Sequence, residues 1–212
     1  MTGASKSPER KFRRRAEARP DEVLDAALEL FIEKGFAATR VEDIASRAGV
    51  SKGTVYLYFP SKDALLEGLV LRAIVPVADS ALAAVAAHEG HPREIITLVL
   101  KALGARFSDP RIVAIPKIVL REAAGFPHLA EIYRSAVLDR ALPAFVGLIR
   151  RGIEAGHLRP VDPELTLRSV IGPILAHVIL AEVFGVAPRE GIELDRLIDN
   201  HLSILFDGLS AR

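Results

Sequence analysis

The stretch VSKGTVYLYFPSKD, residues 50–63, concentrates groups that can hydrogen-bond to an acidic surface. Lys52, Thr54, Tyr56 and Tyr58 all lie on a segment of barely two helical turns, which also contains Gly53. A glycine inside a helix costs about 1 kcal/mol relative to alanine. Its use here indicates a surface that must come close to the backbone, and the chemistry is that of binding.

Catalytic and metal-binding patterns are weak. His88, Glu89 and His91 lack the H-E-x-x-H spacing of a zinc enzyme, so a loop contact is the favoured interpretation. No G-x-S-x-G, phosphate-binding glycine loop or dinucleotide fingerprint occurs, and the absence of cysteine excludes thiolate chemistry. We expect no metal, no cofactor and no enzymatic activity.

The elements around residues 50–63 predict a helix-turn-helix. Thr39 and Glu42 have the spacing of a capping box that starts a helix ending at Gly49, and Ser51 caps the next helix, which Pro60 stops. The second helix of such a pair can lie in a DNA major groove. Short capped helix pairs also occur in all-α proteins that never touch DNA.

Helical spacing sorts the side chains of the second helix. Val55 and Phe59 face the core, which leaves Gly53, Thr54 and Leu57 outward and Lys52 and Tyr56 at the flanks. A preceding helix is predicted from Pro20 to Gly35, with Phe36 folding back on Phe31. Its acidic outer face would repel phosphate, so it is a structural support.

Composition favours a cytoplasmic protein. The 212 residues are 50% hydrophobic and 26% charged, with no apolar signal-peptide region and no apolar run near the 18 residues of a membrane span. Residues 1–19 hold 7 basic and 2 acidic side chains, including Lys11, Arg13, Arg14 and Arg15. This flexible tail either binds phosphates or only solubilises the chain.

The segment ALELFIEKGFAATRVEDIASRAGVSKGTVYLYFPSKDALL, within residues 20–66, resembles the N-terminal domain of the TetR family of one-component transcriptional regulators. The family pattern runs from F-x-x-x-G-[FY] through T-x-x-x-I-A-x-x-A-G-V-S-x-G-T-[LVI]-Y-x-[YH]-F to x-[SN]-K-[DE]-x-L. The resemblance implies a homodimer that binds a palindromic operator in double-stranded DNA. It also implies a repressor that a small molecule releases from DNA.

The resemblance also implies roles for individual residues. Base contacts would come from Lys52, to guanine, and Leu57, to a thymine methyl, with Gly53 and Thr54 between them. Phosphate contacts would come from Thr39, Tyr56, Tyr58 and Lys62, with Ser51 at the helix start. Tyr58 has the alternative of a partly buried core aromatic, and DNA contact becomes the favoured role of the basic tail.

The rest of the chain predicts a wholly α-helical protein. One helical stretch runs from Ser61 to about 87 with a kink or break at Pro76, and others lie at about 93–107, 110–124, 127–155, 163–185 and 190–209. We therefore expect a tail over 1–19, a DNA-binding domain over 20–66 and a larger ligand-binding and dimerisation domain over 67–212. A helical small-molecule carrier without DNA binding, or an all-α enzyme, is the alternative.

Two residue sets follow for this larger domain. A largely apolar effector would contact aromatic, apolar and inward polar side chains, although each is also a reasonable core residue: Phe107, Ile115, Arg121, Phe126, Tyr133, Phe145 and His177. His177 stands out as a polar group in an apolar helix, where it can bond either ligand or a second subunit. The dimer interface is predicted at Ile171, Leu175, Val178, Ile179, Leu194, Leu197, Ile198, His201, Leu202 and Leu205.

Overall fold

The computed structural model describes residues 8–107, 109–182, 184–186 and 194–209, without the side chains of residues 8–19, 107, 178 and 182. Every regular element in these ranges is helical. Eleven α-helices are described there: α1 (Pro8–Lys34), α2 (Val41–Arg47), α3 (Lys52–Tyr58), α4 (Lys62–Leu69), α5 (Val75–Ala87), α6 (Pro92–Phe107), α7 (Pro110–Glu122), α8 (Pro127–Tyr133), α9 (Asp139–Glu154), α10 (Pro163–Glu182) and α11 (Leu194–Leu209). Single π-helical turns, Val70–Ile74 and Arg134–Leu138, precede α5 and α9.

Helix α1 begins earlier than predicted. It starts at Pro8 and contains Pro20 in its interior, so the backbone of residues 8–19 is helical where a flexible tail was expected. Those residues are mainly alanine, glutamate, lysine and arginine, which favour helix and can carry it past one proline. The other end agrees with prediction: Gly35 has a φ of 82°, and the Phe36 ring lies 5.1 Å from the Phe31 ring.

The predicted capping box at the start of α2 does not form. The cap residue is Arg40, without a side-chain hydrogen bond, and Thr39 is only 2% exposed. The Thr39 hydroxyl instead donates to the Gly35 carbonyl at 2.7 Å and lies 3.2 Å from the Leu30 carbonyl. Backbone carbonyls at a helix end lack intrahelical donors, so the buried Thr39 hydroxyl satisfies one of them at the end of α1 instead of capping α2.

The caps of α3 and α4 form as predicted. Ser51 accepts a hydrogen bond from the Thr54 amide at 3.1 Å, and Ser61 accepts one from the Ala64 amide at 3.0 Å. Gly49, with a φ of 65°, makes the turn between α2 and α3. Helix α3 is therefore held in place by local hydrogen bonds at its start and by the burial of Val55.

The contacts divide the chain differently from the predicted contiguous domains. The first compact unit consists of residues up to Ala73 together with Ala114–Tyr133. In it, α1 packs on α2, α3 and α4, and α8 packs on α4. Phe126, at the turn before α8, meets the Phe36 ring edge-on at 5.5 Å, and His128 Nε2 lies 3.0 Å from Asp63 Oδ1. Residues 114–133 thus belong to the core beneath the helix-turn-helix.

The second unit comprises Ile74–Val113 and the chain from Arg134 onward. Helices α5, α6, α9, α10 and α11 surround an apolar core that includes Ile95, Leu148, Ile149 and Phe206. Pro76 lies in the first turn of α5, directly after a π-helical turn, and the helical backbone continues through it from Lys62 to Ala87, so the chain is not broken at this proline.

Two described helical segments, Lys62–Ala87 and Pro163–Ala181, are long and apolar enough to cross a membrane by length and composition. Charged residues such as Glu67, Arg72 and Arg168 interrupt both segments, so neither is the uninterrupted apolar run of about 18 residues that was not expected from the sequence. Core helices of soluble proteins meet the same criterion.

Candidate DNA-binding interface

Helix α3 separates a buried face from an exposed one. Val55 is fully buried, whereas Leu57 is 76% exposed and Tyr56 43% exposed. Gly53 is exposed, and a methyl group added there would meet only the Ser51 hydroxyl, at 3.7 Å. The fold itself therefore does not require a glycine at position 53, which leaves an external surface as the reason for it.

Lys52 at the start of α3 is paired with Glu42 in the first turn of α2. Their Nζ and Oε1 atoms are 2.5 Å apart, and both side chains are about half exposed. The hydrogen bond between them lowers the pKa of Glu42 and raises that of Lys52. Lys52 also lies 5.7 Å from the Tyr56 ring centre. Sequence reasoning missed this partnership because it assigned Glu42 to the capping box.

Lys62 does not stand free to meet a phosphate. Its ammonium group donates to the carbonyls of Phe36, Ala37 and Thr39 at 2.6, 3.1 and 3.2 Å, and lies 4.4 Å from the Phe36 ring centre. Partial burial lowers its pKa. The predicted phosphate contact is therefore replaced by a bond between α4 and the α1–α2 turn. Thr39, being buried, is likewise not placed to touch a phosphate.

Two other basic side chains near the motif are engaged within the domain. Arg47 pairs with Glu33 through two parallel contacts of 2.9 and 3.0 Å and with Glu29 at 3.1 Å, and Lys34 pairs with Asp43 at 3.1 Å. These bonds join α2 to α1, as expected for structural surface charges. Tyr58 is half-buried, between its two predicted roles. The side chains of the basic segment 8–19 lie outside the described residues.

Comparison with known proteins identifies the family. A sequence model of the "Bacterial regulatory proteins, tetR family" matches residues 23–69, and one of the "Tetracyclin repressor-like, C-terminal domain" matches residues 86–183. YdeS of Bacillus subtilis, an HTH-type transcriptional regulator, is 30% identical over 162 residues, covering 74% of this chain and 77% of YdeS. The chain belongs to the TetR family. It is a DNA-binding transcriptional regulator built from the helix-turn-helix described above and a helical C-terminal region.

Two further relatives extend the comparison of this TetR-family regulator. The transcriptional repressor KstR2 of Rhodococcus jostii is 26% identical over 194 residues, covering 91% of this chain and 92% of KstR2. The solved structure of a SmeT–triclosan complex is 25% identical, with a TM-score of 0.71, covering 91% of this chain and 92% of SmeT. Both likenesses span both compact units.

The predicted effector residues are divided between the two units of the regulator. Ile115, Arg121, Phe126 and Tyr133 lie in the first, and Phe107, Phe145 and His177 in the second. Ile115 is fully buried, Phe126 packs on Phe36, and the Arg121 side chain is 61% exposed. Burial raises the pKa of Tyr133. Phe145 packs against the core of the second unit, and the Phe107 side chain lies outside the described residues.

His177 is the predicted residue with an unexplained feature. Its Nε2 atom is buried and has no hydrogen-bond partner among the described residues. Buried polar atoms are nearly always paired with protein, water or ligand, so this atom indicates a partner that the described residues do not supply. A cavity of about 490 Å³ elsewhere in the second unit is lined in part by His88, Arg151 and His157, and none of the seven predicted residues lines it.

The predicted dimer residues divide between core and surface. Ile198, His201 and Leu202 are 1%, 8% and 4% exposed, and His201 Nε2 donates to the Val170 carbonyl at 2.9 Å, so the structure places them in the core of their own chain rather than on an exposed surface. They face α6 and α10 because α11 must also complete the core of its own chain. Five more are partly buried, Ile171, Ile179, Leu194, Leu197 and Leu205, and the Val178 side chain lies outside the described residues.

Leu175, 54% exposed, is the predicted interface residue that fits best. Sequence reasoning missed three exposed apolar neighbours on the same two helices: Leu165, Leu180 and Ile204, with 62%, 46% and 66% exposure. Periodicity alone did not separate these positions, because α10 is apolar on nearly every side. Together, Leu165, Leu175, Leu180 and Ile204 define what we term the apolar face.

Proposed function

We propose that this regulator is a cytoplasmic repressor, without enzymatic activity, that binds a palindromic operator as a homodimer and leaves it when an effector binds. The observation that carries DNA reading is the orientation of α3, with Val55 fully buried and Leu57 76% exposed on the opposite side. An exposed leucine on a short, capped helix is suited to a thymine methyl in the major groove.

The proposed contacts divide into two kinds. Lys52, Gly53, Thr54 and Leu57 approach base edges, and the Ser51 cap fixes the start of their helix. The Tyr56 and Tyr58 hydroxyls bond phosphates, which sets the register of the helix without reading sequence. Thr39 and Lys62 are left out of this contact set because their polar groups are used inside the domain.

The apolar face supports the dimer. A soluble monomer rarely exposes several large aliphatic side chains on adjacent helices, so a second copy of the chain is the proposed cover. Between its leucines, α10 carries Gly172 and Ala176, whose small side chains permit close approach of another helix. A symmetric pair of subunits would then present two α3 helices to the two halves of a palindrome.

The effector is proposed to be largely apolar, with one hydrogen-bonding group. The unpartnered His177 Nε2 supports such a group, and the apolar character of α10 supports the remainder. SmeT, a relative over most of this chain, was solved with triclosan. Binding of a ligand of this kind would stabilise one arrangement of the helical domain over another.

The test is binding of fluorescent DNA followed by anisotropy. The wild-type protein is used to select duplexes from a randomised pool, and the selected sequences are aligned. We expect a two-fold symmetric consensus and tight, salt-dependent binding. Binding of apolar compounds without selection of any duplex would instead favour the small-molecule carrier.

A further inference from the structure

An acidic side chain lies where this protein should meet a polyanion. Glu42 is about half exposed in the first turn of α2, and its carboxylate pairs with Lys52 on the recognition helix. The pair joins the two helices of the motif across the turn at Gly49–Ser51. It is thus part of the surface that carries Tyr56 and Leu57.

The pair changes what Lys52 can contribute to binding. Non-specific affinity for DNA comes mainly from basic groups that neutralise phosphates and release counterions. A lysine already neutralised by a carboxylate at 2.5 Å adds little to that attraction. Leaving Glu42 for a phosphate would also leave the carboxylate facing the DNA without its partner, which is unfavourable.

A base edge, unlike a phosphate, can provide hydrogen-bonding partners for both members of the pair. Guanine presents two acceptors, O6 and N7, to Lys52, and the amino group of cytosine or adenine can donate to a carboxylate. When such groups face the pair, both the lysine and the glutamate keep a hydrogen-bonding partner. When the groove presents no amino group to Glu42, its charge is uncompensated and binding weakens.

The geometry points to Glu42 as a specificity-determining residue, which keeps Lys52 from serving as a phosphate anchor and makes its contribution depend on the base pairs in front of it. This assignment rests on the proposed role of α3 in reading the operator. It adds to that proposal a requirement set by Glu42: the major groove must present a base amino group to this carboxylate, beside the acceptors that bind Lys52.

The experiment measures the salt dependence of DNA binding for Glu42→Ala. On a random-sequence duplex, we expect a slope of log affinity against log salt that is steeper by about 0.9 per subunit, because Lys52 becomes free to neutralise a phosphate. That slope corresponds to about an eightfold gain between 1 M and 0.1 M salt. On a duplex selected by the wild-type protein, the preference over random sequence should fall.

Two controls isolate the pair. Asp199→Ala breaks the Lys101–Asp199 pair in the second unit, which is similarly exposed and spans 2.7 Å, and should leave the slope unchanged. Lys52→Met leaves the Glu42 carboxylate without its partner and should weaken binding to random DNA, whereas the double variant Glu42→Ala/Lys52→Met, which carries neither charge, should have the wild-type slope.

The outcomes are distinct. An unchanged slope for Glu42→Ala, an equal change for Asp199→Ala, or a steeper slope that persists with Lys52→Met would each overturn the assignment to Glu42. If the wild-type protein selects no duplex from a randomised pool, the operator proposal fails, whereas the slopes on random DNA still decide the role of the pair.

Discussion

Replacing Lys62 with methionine distinguishes a phosphate contact from an internal one. The substitution keeps an apolar stem of similar length and removes the ammonium group that bonds Phe36, Ala37 and Thr39. A hydrogen bond from a charged group contributes about 1.5–3 kcal/mol. We assign that value to the 2.6 Å bond and little to the two longer ones, because water can replace them at a partly exposed site.

The expected loss of stability is therefore about 2 kcal/mol, which lowers the Tm by about 4–8 °C in a protein of this size. Differential scanning calorimetry measures this change. At temperatures where the variant is fully folded, the salt slope of DNA binding should match that of the wild type, because no phosphate neutraliser has been lost. Affinity itself should fall by a factor that is equal at all salt concentrations, since the α1–α2 turn is less well held.

Lys101→Met is the control, since it removes a lysine that makes one exposed ion pair and should change neither Tm nor slope appreciably. The reasoning is refuted if Lys62→Met leaves the Tm unchanged and reduces the salt slope by about 0.9 per subunit. That result would mean that Lys62 leaves its three carbonyls to bind DNA.

Three further substitutions test other parts of the proposals. Gly53→Ala should raise the Tm, because alanine favours helix by about 0.5–1 kcal/mol and its methyl group meets no close neighbour. The same substitution should weaken operator binding. Unchanged binding would mean that the backbone does not approach the groove. Ile204→Glu should convert the dimer to a monomer in light scattering, and a persistent dimer would place the interface elsewhere. His177→Phe should raise the Tm by removing an unpaired polar atom and abolish release of DNA by an effector; a lower Tm with loss of the dimer would show a bond across subunits.

The features predicted correctly from sequence are those that short-range chemistry determines. Ser51 and Ser61 cap helices through amides three residues away. The end of α1 requires a φ of 82°, which residues with a side chain rarely adopt, so a glycine occupies position 35. The inward position of Val55 follows from helical spacing alone. Such local rules were sufficient to predict the helix-turn-helix and its exposed residues.

The errors concern side chains whose partners are distant in the sequence. Lys62 bonds carbonyls 23 to 26 residues away, and Glu42 meets Lys52 on another helix. A motif gives the position of such a side chain but not the group that competes for it. The burial of His201 could not be predicted, for a similar reason: it is polar and near the chain end, and only the packed structure brings it to the Val170 carbonyl.

The contact between Phe36 and Phe126 affects how DNA-binding domains can be exchanged between regulators. A transplant of residues 20–66 alone would carry the fully buried Phe36 ring without the aromatic edge that covers it at 5.5 Å. The new host would have to supply a matching ring from its own chain. A chimera that takes Ala114–Tyr133 along with the N-terminal helices preserves this packing, so the transferable module of this protein consists of two separate pieces of sequence.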